Sequence, residues 1–198
     1  YGPANRKPPM GRVEHDGRAT AYRRRDGGGT PVLCVHGSGG TNAVWRGQFR
    51  LPFPTIALDL SGHGDADDVD VDPGSEALDA YADDVVAVAR ETGARVLCGN
   101  SLGGAVVLHV VLERDLDPDA LVLAGTGARL SVLPDLLGWL REEFERAVEF
   151  LHAPDRLFHT RDERYLEASR ETMRAVGPGV TYRDFATCDA FDVRDRLG

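Results

Sequence analysis

Residues 95–115 read RVLCGNSLGGAVVLHVVLERD. Val96, Leu97 and Cys98 form a short apolar run without polar alternation, the pattern of a strand buried on both faces of a parallel sheet. From Leu102 the apolar residues continue for long enough to read as a helix. Between the two lies Gly99-Asn100-Ser101-Leu102-Gly103, a G-x-S-x-G placed where a strand turns sharply into a helix. The spacing has a steric reason. Side chains at positions 99 and 103 would collide with the neighbouring strand and helix, while Ser101 is held in a strained conformation with Oγ projecting freely. The helix N-terminus behind it favours negative charge that develops there. Ser101 is therefore the predicted nucleophile, and the fold around it is predicted to alternate strand and helix.

Moving toward the N-terminus, PVLCV at 31–35 is a second buried-strand pattern and runs straight into HGSGG at 36–40. An acyl-transfer intermediate carries an oxyanion that needs two backbone N–H donors fixed in advance, and a glycine-rich turn such as Gly37-Ser38-Gly39 exposes them. The expected donors are the amides of Ser38 and Leu102, with Gly39 as the alternative to Ser38. His36 reads as a residue that hydrogen-bonds and shapes this loop. Neither phosphate-binding glycine pattern, G-x-G-x-x-G or G-x-x-x-x-G-K, is present. A third strand pattern, TIALDL at 55–60, leads into DLSGHGDAD at 59–67. His63, between Gly62 and Gly64, reads as part of a tight turn in preference to a general base, and His109 as a core or flank residue of the helix.

The remaining segments fill in an α/β architecture. Two extended runs flank Asp16-Gly17, a dipeptide suited to the positive φ angles of a two-residue hairpin. SEALDAYADDVVAVARETG carries Leu78, Tyr81, Ala82, Val85, Val88 and Ala89 at helical spacing, with Gly93 at the position after the helix end. ALVLAG at 120–125 is a fourth strand. Strands alternating with helices of this length build a parallel, doubly wound sheet. From 131 the pattern is helical without strands: Leu137, Leu140, Phe144, Val148 and Leu151 form one expected stripe, and RDERYLEASRETMRAV a further helix before Gly177-Pro178-Gly179. The expected organisation is a core over 1–130, a helical cap insertion over 131–179 and a return segment over 180–198.

HGSGG, DLSGHG and GNSLGG, in this order and spacing, resemble the α/β-hydrolase fold family, and CDAFDVRDRLG at 188–198 is similar to the stretch that leads from the cap of such proteins back to the sheet. The resemblance implies a hydrolase acting through an acyl-enzyme on an ester, thioester or related carbonyl-linked bond of a small molecule, with no cofactor and no metal. An acyltransferase, or a non-catalytic receptor-like protein on the same fold, is the alternative. Serine at position 101 speaks against the branches that attack through a carboxylate. In this family the triad order is Ser, then Asp or Glu, then His. The resemblance places the acid and the His after the cap, so the sequence is expected to stop before either. His152 and His159 lie in the expected cap and are not assigned the role. The opening YGPANRKPPMGR, without an initiating Met, is likewise expected not to be a natural start.

A net charge of −9 argues against nucleic acid as a partner, since phosphate binding needs clustered Lys and Arg. Asp supplies 21 of the 32 acidic residues and Lys one of the 23 basic ones, a bias expected of a halophilic-type surface. No apolar run is long enough to cross a membrane. Cys34, Cys98 and Cys188 form neither a disulfide framework nor a metal spacing, which fits a cytoplasmic setting.

Overall fold

The computed structural model describes residues 8–159 and 162–197. Strands β1 (Met10–His15) and β2 (Arg18–Arg25) form the predicted hairpin, with Asp16 and Gly17 both at positive φ, 46° and 76°. They pair antiparallel with each other, and β2 pairs antiparallel with β4 (Thr55–Leu58). Then β4, β3 (Val32–Val35), β5 (Val96–Asn100) and β6 (Ala120–Ala124) run parallel, giving the order β1-β2-β4-β3-β5-β6. The sheet is thus mostly parallel, with both antiparallel pairings at the hairpin end.

Helix α1 (Ser75–Thr92) buries the full predicted stripe from Leu78 to Ala89 against one face of the sheet. Gly93, at φ 67°, closes it with an N–H bond to the Ala89 carbonyl. Helix α2 (Leu102–Glu113) lies beside α1, and between them and the sheet sit Leu33, Val35, Ile56, Leu58, Leu97, Val106 and Val110. Each large apolar side chain removed from water here contributes about 1.5–3 kcal/mol. The other face carries a smaller cluster of Cys34, Ala57, Trp45 and Phe49.

Beyond β6 the chain forms α3 (Pro134–Glu142), α4 (Phe144–Leu151), α5 (Glu163–Val176) and α6 (Pro178–Ala190). The expected single stripe is split, because Glu143 leaves the helical region (φ −137°, ψ 56°) and separates α3 from α4. As a result Leu136 and Ala147 join Leu140, Val148 and Leu151 in the core of this layer, while Leu137 and Phe144 are only half-buried. Gly177-Pro178-Gly179 does end α5. The same residues also start α6, since Pro178 has the φ of a first helical turn and needs no N–H partner there. The helix α6, which sequence patterning does not reveal, crosses position 179, and the chain rejoins the core afterwards through the Val193 amide bonded to the Ala128 carbonyl.

Candidate active site

Ser101 sits at φ 52°, ψ −117°, between the last residue of β5 and the first of α2. A non-glycine residue pays roughly 1–3 kcal/mol for such a conformation. Two contacts force the sharp turn. A Cβ on Gly103 would lie 2.6 Å from the His36 carbonyl oxygen and still closer to that of Val35, and one on Gly99 would run into the Gly103 carbonyl. Helix α2 can therefore start only where both positions lack side chains. The Ser101 amide is tied to the Ala124 carbonyl of β6 at 2.9 Å, and its Oγ makes no hydrogen bond to any described residue.

The loop 36–40 lies directly alongside, with a Gly37 Cβ position 3.2 Å from the Ser101 Cβ. Its amides are unequally committed. Gly40 N–H donates to the Gly37 carbonyl at 3.1 Å, and Gly39 N–H donates to Asp184 Oδ2 at 2.8 Å. Among the described residues the amides of Ser38 and Leu102 have no partner, so Gly39, the alternative donor, is the one already occupied. The Ser38 hydroxyl is 3.6 Å from the Cys188 thiol, which burial pushes up to about 12.

The two histidines beneath the loop are fully buried, and their tautomers follow from their partners. His36 Nε2 accepts the Leu60 amide at 3.1 Å, so Nδ1 carries the proton and donates to the Gly37 carbonyl at 2.9 Å. Burial, reinforced by the charge of His63, lowers its pKa to about 3 and keeps it neutral. His63 has acceptors on both sides: the Ser61 carbonyl at 3.1 Å from Nδ1 and Asp184 Oδ2 at 2.9 Å from Nε2. Both nitrogens must donate, which makes the ring an imidazolium. Burial opposes that charge, yet the neighbouring Asp184 carboxylate outweighs it and raises the His63 pKa. The rings stand 4.7 Å apart, one neutral and one charged.

Asp184, on α6, also accepts the Tyr81 hydroxyl of α1 at 2.7 Å through Oδ1. Arg183 Nε donates to the same Tyr81 oxygen at 3.0 Å, and its Nη2 to Asp68 at 2.7 Å. A second buried carboxylate, Asp59, joins the two loops by accepting the Asn42 amide (2.6 Å), the Asn42 side chain (2.7 Å) and the Asp65 amide (3.1 Å). The sequence points to neither acid as a site residue. A weak signal exists for Asp59 in its place at the end of a buried strand, and none for Asp184, whose contacts lie more than a hundred residues away.

No histidine bonds to Ser101 among the described residues. His15 bonds Thr20, His109 bonds Asp79 at 2.8 Å between α1 and α2, and His152 bonds Ser169 and the Val148 carbonyl within the α4–α5 layer; His159 is exposed. No group of three or more His, Cys, Asp or Glu among the described residues has the arrangement of a metal site, and none of the described helices is long and apolar enough to cross a membrane.

Comparison with known proteins agrees with this geometry. The pimeloyl-[acyl-carrier protein] methyl ester esterase of Neisseria meningitidis serogroup C is 30% identical over 146 residues, covering 63% of this chain and 54% of that protein. The 2-hydroxy-6-oxo-6-(2'-aminophenyl)hexa-2,4-dienoic acid hydrolase of Metapseudomonas resinovorans is 32% identical over 129 residues, covering 61% and 44%. The chain thus spans about half the length of the curated relatives it matches. Among solved structures, a thermophilic esterase superposes with a TM-score of 0.81 at 31% identity, over 94% of this chain and 70% of its own. The model of the alpha/beta hydrolase family matches residues 32–196, and with the strand order and the Ser101 turn already in place, the chain belongs to that family.

Proposed function

We propose that the protein is a serine hydrolase that cleaves an ester or related carbonyl-linked bond of a small molecule through an acyl-enzyme. The observation that carries the reading is the strained Ser101 with an uncommitted Oγ, beside two backbone amides, those of Ser38 and Leu102, that lack partners. When Ser101 Oγ attacks a carbonyl carbon, the two uncommitted amides are the donors available to its oxygen, and donors fixed before the reaction stabilise the oxyanion without reorganising. The tetrahedral intermediate expels the alcohol or thiol, and water then attacks the Ser101 ester by the same route. His36, held neutral, shapes the loop, and Gly37 and Gly39 permit its turn. Among the described residues no base bonds Ser101 Oγ, and the buried His36 and His63 are engaged elsewhere; the proton Ser101 gives up passes through a base to the departing alcohol or thiol. Helices α3–α6 act as the cap that admits substrate. Three free thiols fit a reducing, cytoplasmic setting.

That the relatives are a methyl ester esterase and a dienoic acid hydrolase supports hydrolysis of a carbonyl-linked bond by this chain as well. The test is reaction of the full-length protein with a fluorophosphonate probe, followed by peptide mapping. Labelling at Ser101 that vanishes in Ser101→Ala supports the assignment, and equal labelling of that variant overturns it.

A further inference from the structure

The amide that the loop 36–40 does not offer to substrate points to a residue with a role in setting the site. We infer that Asp184 is a positioning residue: its carboxylate holds the Gly39 amide and so fixes the loop that carries the unpartnered Ser38 N–H beside Ser101. The inference rests on the serine-hydrolase reading above for its catalytic consequence, and on geometry alone for the structural part.

Asp184 is completely buried and comes from the cap helix α6, 145 residues beyond Gly39. Its two oxygens take three donors from three different elements: Gly39 N–H and His63 Nε2 on Oδ2, and the Tyr81 hydroxyl on Oδ1. A carboxylate in such a setting accepts charge-assisted bonds roughly twice as strong as neutral ones. Gly39 has φ 63°, a conformation in which no β-carbon restrains the backbone, so without an external hydrogen bond the Ser38–Gly39 peptide can rotate at little cost. The Met173 and Thr181 side chains press on the same glycine, with Met173 Cε 3.0 Å from its Cβ position, so the cap contributes both the packing and the anchor. The Ser38 N–H lies in the peptide immediately before, so losing the anchor at Gly39 loosens the short loop segment that carries it. A misplacement near 1 Å at a reacting centre can cost on the order of 10²-fold in rate. The Asp184 carboxylate is thereby the charged link between helices α5–α6 and the loop, beside the packing of Met173 and Thr181 on Gly39 and the Ser38–Cys188 contact.

Three variants of the full chain separate positioning from mere support. Asp184→Asn can turn its Oδ1 to Gly39 and His63 and its amide to the Tyr81 oxygen, so it keeps a weakened anchor. Asp184→Ala removes it. Tyr81→Phe takes a donor from the other oxygen and leaves the Gly39 bond in place. With kcat counted per fluorophosphonate-reactive site, the expected order is wild type, then Asp184→Asn at about 3- to 10-fold lower, then Asp184→Ala at about 10- to 100-fold lower, with KM within about 3-fold throughout. Tyr81→Phe should stay within about 2-fold in kcat although its melting temperature falls. A kcat loss in Asp184→Asn no greater than in Tyr81→Phe overturns the inference, and that comparison stands even if Asp184→Ala does not fold. A second readout needs no catalysis: amide hydrogen exchange at Gly39 should speed up at least 10-fold in Asp184→Asn relative to Leu97 in β5, and unchanged exchange overturns the anchor. If Ser101→Ala kept full esterase activity the serine-hydrolase reading would fall, and the Gly39 exchange would still decide the anchor by itself.

Discussion

Ser101 and Asp184 are both polar groups within reach of the loop 36–40, and they are treated in opposite ways. Asp184 has every oxygen bonded, is buried, and faces a cation. Ser101 has an unbonded hydroxyl and a backbone that no serine adopts willingly. Folding alone accounts for the first, because an unpaired buried charge costs several kcal/mol and pairing offsets it. It does not account for the second, since a residue without a strained backbone would suit the fold better. Strain at Ser101 is what the proposed nucleophile implies, and that difference can be measured.

The largest expected effect is on rate. Ser101→Ala should lower ester turnover by about 10³-fold or more, leaving what oxyanion donors and binding supply by themselves. Ser101→Gly should be equally inactive, yet more stable than wild type by about 1 kcal/mol, because glycine relieves the strain at φ 52°. Urea unfolding that shows Ser101→Gly less stable than wild type would break the contrast.

Stability losses come next, on the other side of the comparison. His63→Ala leaves Asp184 without its countercharge and should cost about 3–5 kcal/mol. Gly103→Val drives a side chain into the carbonyls of Val35 and His36 and should cost about 3 kcal/mol or more, with folding yield falling along with rate. Gly138 in α3, where a Cβ meets nothing within 4 Å, is the control: Gly138→Ala should gain about 0.5–1 kcal/mol. A Gly103→Val protein as stable as wild type would mean that the turn at Ser101 has room the geometry denies.

Much of this contrast was legible in residues 36–40 and 99–103, because G-x-S-x-G and a glycine-rich strand end are local signals with a steric cause. The hairpin at Asp16-Gly17, the α1 stripe and four parallel strands were legible for the same reason. Two things were not. Helix α6 begins at a Gly-Pro-Gly that by itself reads as a break, and only packing against α1 and α3 decides that the chain resumes a helix there. Asp184 belongs to TYRDF, a segment whose polar residues look exposed in sequence, whereas in the fold Thr181, Arg183 and Asp184 are all buried, the last two because their partners converge from Gly39, His63, Tyr81 and Asp68 and Thr181 by packing against Gly39. Side-chain networks closed over long separations leave no periodicity to read.

The two buried histidines extend the comparison to pH. The His36 pKa is lowered in the folded state to about 3, so below about pH 6.5 the unfolded chain takes up a proton that the folded chain refuses, and the contribution of His36 to stability is lost as pH falls. The His63 pKa is raised, so its contribution is complete below about pH 6.5 and is lost as pH rises through the folded value. The stability difference between wild type and His36→Asn should therefore grow by about 1.4 kcal/mol per pH unit between about pH 3 and 6.5 and then level off. The difference between wild type and His63→Asn should be flat below about pH 6.5 and shrink as pH rises above it. Urea titrations at half-unit intervals would read both, and two curves of the same sign would contradict the assignment of one neutral and one charged ring.

The smallest expected effect lies at the surface. The acidic loop 65–72 would repel itself if its carboxylates stood alone, but Arg12 reaches Asp67, Arg23 reaches Asp65 and Arg183 reaches Asp68. The Arg12–Asp67 pair is exposed on both sides and contributes about 0–1 kcal/mol, and in the other two the carboxylate is exposed, so salt screens them as it screens the repulsion they oppose. A net charge of −9 leaves repulsion in excess, so molar KCl should still raise the melting temperature, by less than the bare count of Asp suggests. An Arg12→Ala variant sharpens the point: removing the cation beside Asp67 leaves its charge held only by the Ala19 amide, and the rise between low and molar KCl should become larger than in wild type. A melting temperature indifferent to KCl in both proteins would remove the halophilic reading of the surface, and would leave the Asp-for-Glu and Arg-for-Lys bias as composition without an energetic consequence at this loop.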